Sequence, residues 1–442
     1  MKVLIISHNP VSTKGNMGKT ILSLFSEFDK QELCQLYIYP SYPDEDRCAS
    51  YYRVTDKDVL ASLYRFRLPG GEIDRSRISP QQGLYDHAED QVFYKNRKNK
   101  SALRRLLRDA MWRVSRWNNR KLRAWLDREQ PDCIFVAPGV AKFLYNFALS
   151  ISKARNIPVV TYICDDYYFT RKPETLLDRL RLKLLQRKIE QLISRSVHLI
   201  TISEEMREAY CAKFGIETTT LMTGADGIAA VKPKLVKSPR AISYFGNIRC
   251  NRYISLGEIG RELDRIREET GEDIRLRIYT GEQDARILDS FSGIRCVELC
   301  GFLSGEAYTQ ARQQADLLLH VEAFDEESID FARRSISTKI AESMASGIPL
   351  LAYGPECLSS IRYLQRNNSA IVAVSREEMG EALRRALTDE ALRTRTVRNA
   401  LAAASGFHDR EKISRTLRGI LQKAAAESTG AQANHGFKRE PL

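Results

Sequence analysis

The segment STKIAESMASGIPLLAYGP, residues 337–355, holds the side chains with the clearest chemistry. An apolar strand over 316–322 leads into a loop and then into a helix opened by Ser337, Thr338 and Lys339. The first turn of a helix presents unbonded N–H groups, so hydroxyls and a lysine there make a phosphate site. Glu342 follows one turn later on the same face. A carboxylate repels phosphate but accepts two hydrogen bonds from vicinal hydroxyls, and the two ligands side by side suit a nucleoside diphosphate. Gly347 ends the helix and Pro349 enters the next strand.

Other candidates sit where strands end. Asp165 and Asp166 follow a strand over 158–164, where a carboxylate could bind or activate a hydroxyl, and Asp166 is favoured of the two. His8 follows the first strand, and Glu322 ends the run LLLHVE as a catalytic or sugar-binding candidate. His320, inside that run, reads as a satisfied interior histidine. Gly18-Lys19-Thr20 falls short of a P-loop: the pattern needs glycine at 13, which is Thr13, and Gly15 comes two residues late. Asp44-Glu45-Asp46 has the spacing of a metal-binding acid pair but lies in a proline-rich loop and reads as solvated. Nine cysteines with no CxxC pair give neither a zinc site nor a disulfide framework, and they suit free thiols in a reducing cytoplasm. No Ser-His-Asp or Cys-His phrase points to hydrolysis.

Positioning these groups requires a scaffold. A chain of 442 residues is long enough for two domains. Strands alternate with helices from 2–7 and 18–28 up to 197–202, and the alternation restarts at 241–245 after VKPKLVKSPR, with its two prolines and four basic residues. The expected organisation is an N-terminal Rossmann-like domain over 1–232, a linker over 233–240, and a second Rossmann-like domain over 241–408. A helix over 409–425 and a disordered tail over 426–442 complete it. Residues 40–100 read as irregular. The class is α/β, two doubly wound sheets facing a cleft, with ligands beyond the carboxyl ends of the strands. No apolar run is long enough to cross a bilayer, and the N-terminus reads as a strand and not an export signal.

The formal charge is +13, and all but two of those excess charges lie in residues 1–232. A basic helical insertion over 95–128 accounts for them, with 13 basic residues against Asp109 and Asp127. Leu103, Leu107, Ala110, Val114 and Trp117 recur there at helical spacing with arginines between them. Two readings stand: a surface helix with its apolar stripe on the core, or a patch that meets anionic lipid headgroups. Nucleic acid is not expected, since no helix-turn-helix, zinc finger or aromatic RNA-binding motif accompanies the charge.

The phrase AESMASGIPLLA resembles the nucleotide-sugar site of family-4-like glycosyltransferases of the GT-B fold, and the likeness spans most of residues 1–405. The resemblance gives Glu342 the ribose, and Ser337, Thr338 and Lys339 the phosphate side. It makes YFGNIRCNR, with Gly246 and Asn247, the strand–glycine loop, where Arg249 or Arg252 reaches the diphosphate. In the first domain, SHNP followed by Gly15, Asn16 and Gly18 is similar to the glycine-rich loop facing the donor. One departure is Arg334, where many members carry a second glutamate eight residues before the ribose one. The implied activity is sugar transfer from a nucleoside diphosphate sugar to a lipid-linked or saccharide acceptor, with retention, no metal and no cofactor. The setting is polysaccharide assembly in the cytoplasm, with the basic helices on the inner face of the membrane. The rival readings are a P-loop-like nucleotide hydrolase and an inactive GT-B scaffold subunit.

Overall fold

Val3–Ser7, Cys133–Ala137, Val159–Ile163 and Leu317–Val321 are buried at every position. Strands apolar on both faces belong to parallel sheets covered by helices on both sides. The computed structural model describes residues 1–13, 16–65, 67–79, 102–169, 175–234 and 236–435. It divides into two units, Met1–Leu221 with Glu411–Leu442, and Met222–Arg410.

The first unit holds β1 (Val3–Ser7), β2 (Leu33–Tyr37), β3 (Ser50–Arg53), β4 (Gly71–Glu72), β5 (Cys133–Ala137), β6 (Val159–Ile163), β7 (Ser196–Thr201) and β8 (Thr218–Thr220). Their order is β4-β3-β2-β1-β5-β6-β7-β8, parallel except for β4 against β3. The second unit holds β9 (Ala241–Phe245), β10 (Arg275–Tyr279), β11 (Val297–Leu299), β12 (Leu317–Val321), β13 (Leu350–Tyr353) and β14 (Ile371–Ala373), ordered β11-β10-β9-β12-β13-β14. Strand order reverses between β1 and β5, and again between β9 and β12, which makes two switch points where ligands bind such sheets.

Several expectations change. Within 40–79 the chain is not irregular: it forms β3, the helix Asp56–Arg65 and β4. That helix is started by a reciprocal cap, in which Thr55 N–H donates to Asp58 Oδ2 at 2.8 Å and Asp58 N–H donates to Thr55 Oγ1 at 3.1 Å. Residues 80–100 lie outside the described residues. The expected linker over 233–240 runs along the second unit, where Lys234 Nζ donates to the Ala315 carbonyl at 2.7 Å. Buried Arg393 holds the carbonyls of Val236 and Lys237, each at 3.0 Å.

The last helix, Arg410–His435, runs ten residues beyond its expected end at 425, because Ala424, Ala425, Ala426, Ala431 and Ala433 are strong helix formers. Residues 436–442 lie outside the described residues. Ile413, Leu417, Leu421 and Ala424 of this helix join the core of the first unit. Arg418 fixes it there, with bidentate bonds to Glu32 at 2.6 and 2.8 Å and its guanidinium 4.2 Å over Phe28.

Within the second unit, the two places where the chain enters and leaves are tied together. Ala225 N–H donates to the His408 carbonyl at 2.7 Å, and Ala225 forms a bridge with Asp409. His408 is buried, its Nδ1 2.9 Å from the Thr223 carbonyl and its Nε2 2.9 Å from Tyr363 Oη. A carbonyl only accepts, so Nδ1 carries the proton and Nε2 accepts from the phenol.

Candidate functional site

β9 ends at Phe245, and the chain turns through 246–251 into the helix Arg252–Thr270. Gly246 adopts a φ of +159°, where a Cβ would sit 3.0 Å from Tyr244 Oη. Asn247 Oδ1 accepts from Arg249 N–H at 2.8 Å, and Tyr244 Oη donates to the Asn247 carbonyl at 2.8 Å. Cys250 and Asn251 are both left-handed, at φ 53° and 57°. Two such residues in succession cost conformational energy, which the loop's fixed bonds offset.

The result is that Arg252 reaches the end of β12. Its Nε lies 2.8 Å and its Nη2 2.7 Å from Glu322 Oε2. Ser255 Oγ donates to the Glu322 carbonyl at 3.0 Å, and Ser328 Oγ donates to the Cys250 carbonyl at 3.0 Å, so both ends of the turn are pinned. Gly354 makes room for Glu322, since a Cβ there would stand 2.9 Å from the Glu322 Cβ.

A cavity of about 110 Å³ opens at this β9–β12 switch point. Gly246, Asn247 and Arg252 form one side, and His320 and Glu322 come from β12 and its end. Ser337, Lys339 and Ser343 come from the helix Thr338–Met344 and its cap, and Tyr308 and Arg312 from the helix Gly305–Gln314. Burial raises the Glu322 carboxyl, against the pull of Arg252. Burial drives His320 down to about 3, with Arg252 and Lys339 adding repulsion, so the imidazole is neutral. The expectation that His320 is satisfied fails: its Nε2 is buried without a hydrogen-bond partner among the described residues, 3.8 Å from Glu322 Oε1. A buried polar atom left open in a cavity wall is a place for a ligand hydroxyl.

The remaining second-unit candidates divide. Ser337 caps its helix, accepting from Lys339 N–H at 3.4 Å, and Thr338 is the first helical residue but does not line the cavity. Glu342 stands beside the cavity, its Oε2 accepting from Tyr308 Oη at 2.5 Å and lying 3.6 Å from Arg312 Nη1. Of the two arginines left open by the sequence, Arg252 lines the cavity. Arg249 turns to Glu282, with contacts at 2.5 and 2.8 Å that hold that carboxyl down at about 2.

In the first unit the candidates serve largely as anchors. Asp166 is buried, and its Oδ1 accepts from Tyr168 N–H at 3.1 Å, Phe169 N–H at 3.0 Å and Tyr210 Oη at 3.2 Å. Exposed Asp165 accepts from Tyr167 Oη at 2.9 Å. His8 Nδ1 lies 2.8 Å from Asn9 Oδ1, with its ring 5.5 Å from that of Tyr39. Gly15 is outside the described residues, and Asn16 opens the helix Asn16–Leu24. Gly18 is required by packing, since a Cβ there would be 2.8 Å from the Pro10 carbonyl oxygen. Asp44 is an interior anchor and not a solvated acid, accepting from Thr13 Oγ1 at 2.7 Å and Ser12 Oγ at 3.1 Å.

Tyr308 and Arg312 were not singled out from the sequence. They are four residues apart on a polar helix, and only the fold brings them against Glu342. The site as built gathers Arg252, Lys339 and Arg312 against Glu322 and Glu342, with a neutral imidazole between. That set can hold an anion at one end and hydroxyls at the other.

Residues 84–226 match the family described as Glycosyltransferase Family 4, and residues 261–419 match Glycosyl transferase-like. No curated protein matches the chain. Among solved structures, HepE from Anabaena in complex with UDP superposes with a TM-score of 0.62 at 12% identity, over 96% of this chain and 100% of that one. Sucrose-phosphate synthase from Thermosynechococcus elongatus gives 0.62 at 11%, over 97% and 100%. Trehalose-phosphate synthase from Burkholderia xenovorans, solved with glucose-6-phosphate, gives 0.59 at 14%, over 95% and 100%. At such identities the likeness is one of fold.

Proposed function

This chain is a GT-B glycosyltransferase, a family-4 domain followed by a glycosyl transferase-like domain, and on that premise we propose that it moves a sugar from a nucleoside diphosphate to a hydroxyl of a lipid-linked or polysaccharide acceptor. The observation that carries the proposal is the convergence of Arg252 and Lys339 on one cavity at the β9–β12 switch point.

Arg252 spends Nε and Nη2 on Glu322 and keeps N–H donors on Nη1 for the diphosphate. With Lys339 it neutralises charge as the diphosphate leaves, the role a divalent cation plays in metal-dependent transfer, so we read the reaction as metal-independent. Glu342, oriented by Tyr308, takes the ribose hydroxyls. Glu322 Oε1 and His320 Nε2 face the donor sugar, one as acceptor and the other open to a hydroxyl. Asp165, Asp166 and His8 mark the acceptor side, and exposed Asp165 is the better placed of the two acids to meet a hydroxyl. Retention at the anomeric carbon, polysaccharide assembly and a peripheral position on a membrane through residues 95–128 complete the reading.

The test is thermal stabilisation of the chain by UDP, GDP, ADP, CMP and ATP, for the wild type, Lys339→Ala and Lys19→Ala. A bound ligand raises stability by RT ln(1 + [L]/Kd). One diphosphate shifting the wild type but not Lys339→Ala supports the proposal and names the base, and product stereochemistry then follows by NMR. A shift by ATP alone that disappears in Lys19→Ala replaces it with a nucleotide hydrolase. No shift with any nucleotide replaces it with a scaffold.

A further inference from the structure

The first unit turns an apolar stripe outward. On the helix Ala102–Val114, Leu103 is 56% exposed, Leu107 61% and Val114 66%. These residues, with exposed Ala110, share one side of the helix. The opposite side is tied down. Trp112 is buried, stacked on Phe143 at 4.0 Å, and its Nε1–H donates to Asp56 Oδ1 at 2.6 Å. Arg108 Nε meets the same oxygen at 2.9 Å. Rolling the leucines inward would break these buried bonds, so the outward stripe is built in.

Two neighbouring helices repeat the pattern. Asp56–Arg65, which supplies Asp56, exposes Leu60, Leu63 and Tyr64 on one side. Leu176–Arg195, which packs against Ala102–Val114, exposes Leu176 at 80% with Leu177 and Leu180. Basic residues stand beside these stripes: Arg113 and Arg116 are exposed, as are Arg179, Lys183 and Arg187. The acids nearby are engaged inside the unit, Asp109 with Lys142 at 2.8 Å and Asp58 with Thr55. Asp56 and Lys142 lie at or near the starts of helices that follow β3 and β5, so the exposed helix crosses the sheet on the side of its carboxyl ends.

We propose that this three-helix face seats the first unit on an anionic bilayer, with its leucines in the interfacial layer and its arginines and lysines among the headgroups. The inference rests on the reading of a lipid-linked acceptor and gives it a place, since the seat adjoins the strand ends where an acceptor binds. A bilayer matches both halves of the pattern, an apolar layer under a sheet of negative charge. A second copy would bring the same positive charge against itself.

The experiment is sedimentation of the full chain with vesicles of phosphatidylcholine alone or mixed with phosphatidylglycerol, at low and high salt. Binding to the anionic vesicles is expected, weakened by salt. In the combined variant Leu103→Ser, Leu107→Ser, Val114→Ser it should fall by at least about tenfold with an unchanged melting temperature, since these side chains are exposed. Arg113→Gln with Arg116→Gln should remove much of the salt-sensitive part. Equal binding to neutral and anionic vesicles, full binding by the serine variant, or a concentration-dependent dimer that the serine variant abolishes would each overturn the inference. The UDP-panel shift, measured on the same samples, separates the two readings. Vesicle binding without nucleotide binding sinks the donor assignment alone, and nucleotide binding without vesicle binding sinks the membrane seat alone.

Discussion

Arg252 places two nitrogens on a single carboxylate oxygen of Glu322, at 2.8 and 2.7 Å, and leaves the other oxygen toward His320. Glu322 is buried and Arg252 is its charged partner, so the acid depends on the arginine. Arg252→Ala should strand a buried acid and lower stability by roughly 3–5 kcal/mol, read as a fall in melting temperature. Replacing both, Arg252→Met with Glu322→Leu, should restore much of that stability and still bind no diphosphate.

Tyr308 and Glu342 give a graded test of the ribose assignment. Glu342→Gln keeps the shape and loses the charge-assisted acceptor, and should weaken nucleoside diphosphate binding by about 10–100-fold, or roughly 1.5–3 kcal/mol. Tyr308→Phe removes only the orienting bond and should cost less. Titration calorimetry with the base found in the thermal panel measures both, and an unchanged affinity in Glu342→Gln would remove Glu342 from the site.

Arg249 is the control for Arg252. Its side chain is half exposed and paired with Glu282 outside the cavity. Glu282 keeps the N–H bonds of Gln283 and Asp284 when Arg249 is removed, so Arg249→Ala should lower stability only modestly and leave donor affinity close to the wild type. A large loss of donor affinity in Arg249→Ala would reverse the choice between the two arginines.

His408 sets an acid limit. Burial drives it from 6.5 down to about 4, so the folded state holds it neutral while the unfolded chain protonates first. Its contribution is complete above pH 6.5 and is lost as pH falls through about 4, a loss of roughly 3 kcal/mol. The melting temperature should therefore drop across that window, and His408→Gln should flatten the drop. A wild-type melting temperature constant down to pH 4 would contradict the assignment. His320, driven to about 3, acts in the same direction.

The sequence showed the sheets because their strands are continuous apolar runs, and it showed Ser337, Lys339 and Glu342 because their spacing is local. It did not show that Arg252 meets Glu322. They are 70 residues apart and adjoin only because β9 pairs with β12. Nor could helical period alone say which side of Ala102–Val114 faces in. The leucine stripe looks like a core face, and Trp112 with Arg108 wins because Asp56 offers both a buried acceptor. The strand β3 was missed because four residues, SYYR, carry too short a pattern.

The return of the last helix to the first unit changes what a truncation means. Met222–Arg410 is in effect an insertion into the chain of the first unit, with Ala225 and Asp409 bridged near its two ends. Such a module can be excised as one piece and is suited to circular permutation, since adjacent ends are readily joined. The first unit cannot be isolated by a stop codon. A chain cut at Arg410 loses Leu417, Leu421 and the Arg418–Glu32 clasp, and the damage falls on the half of the protein that was left untouched.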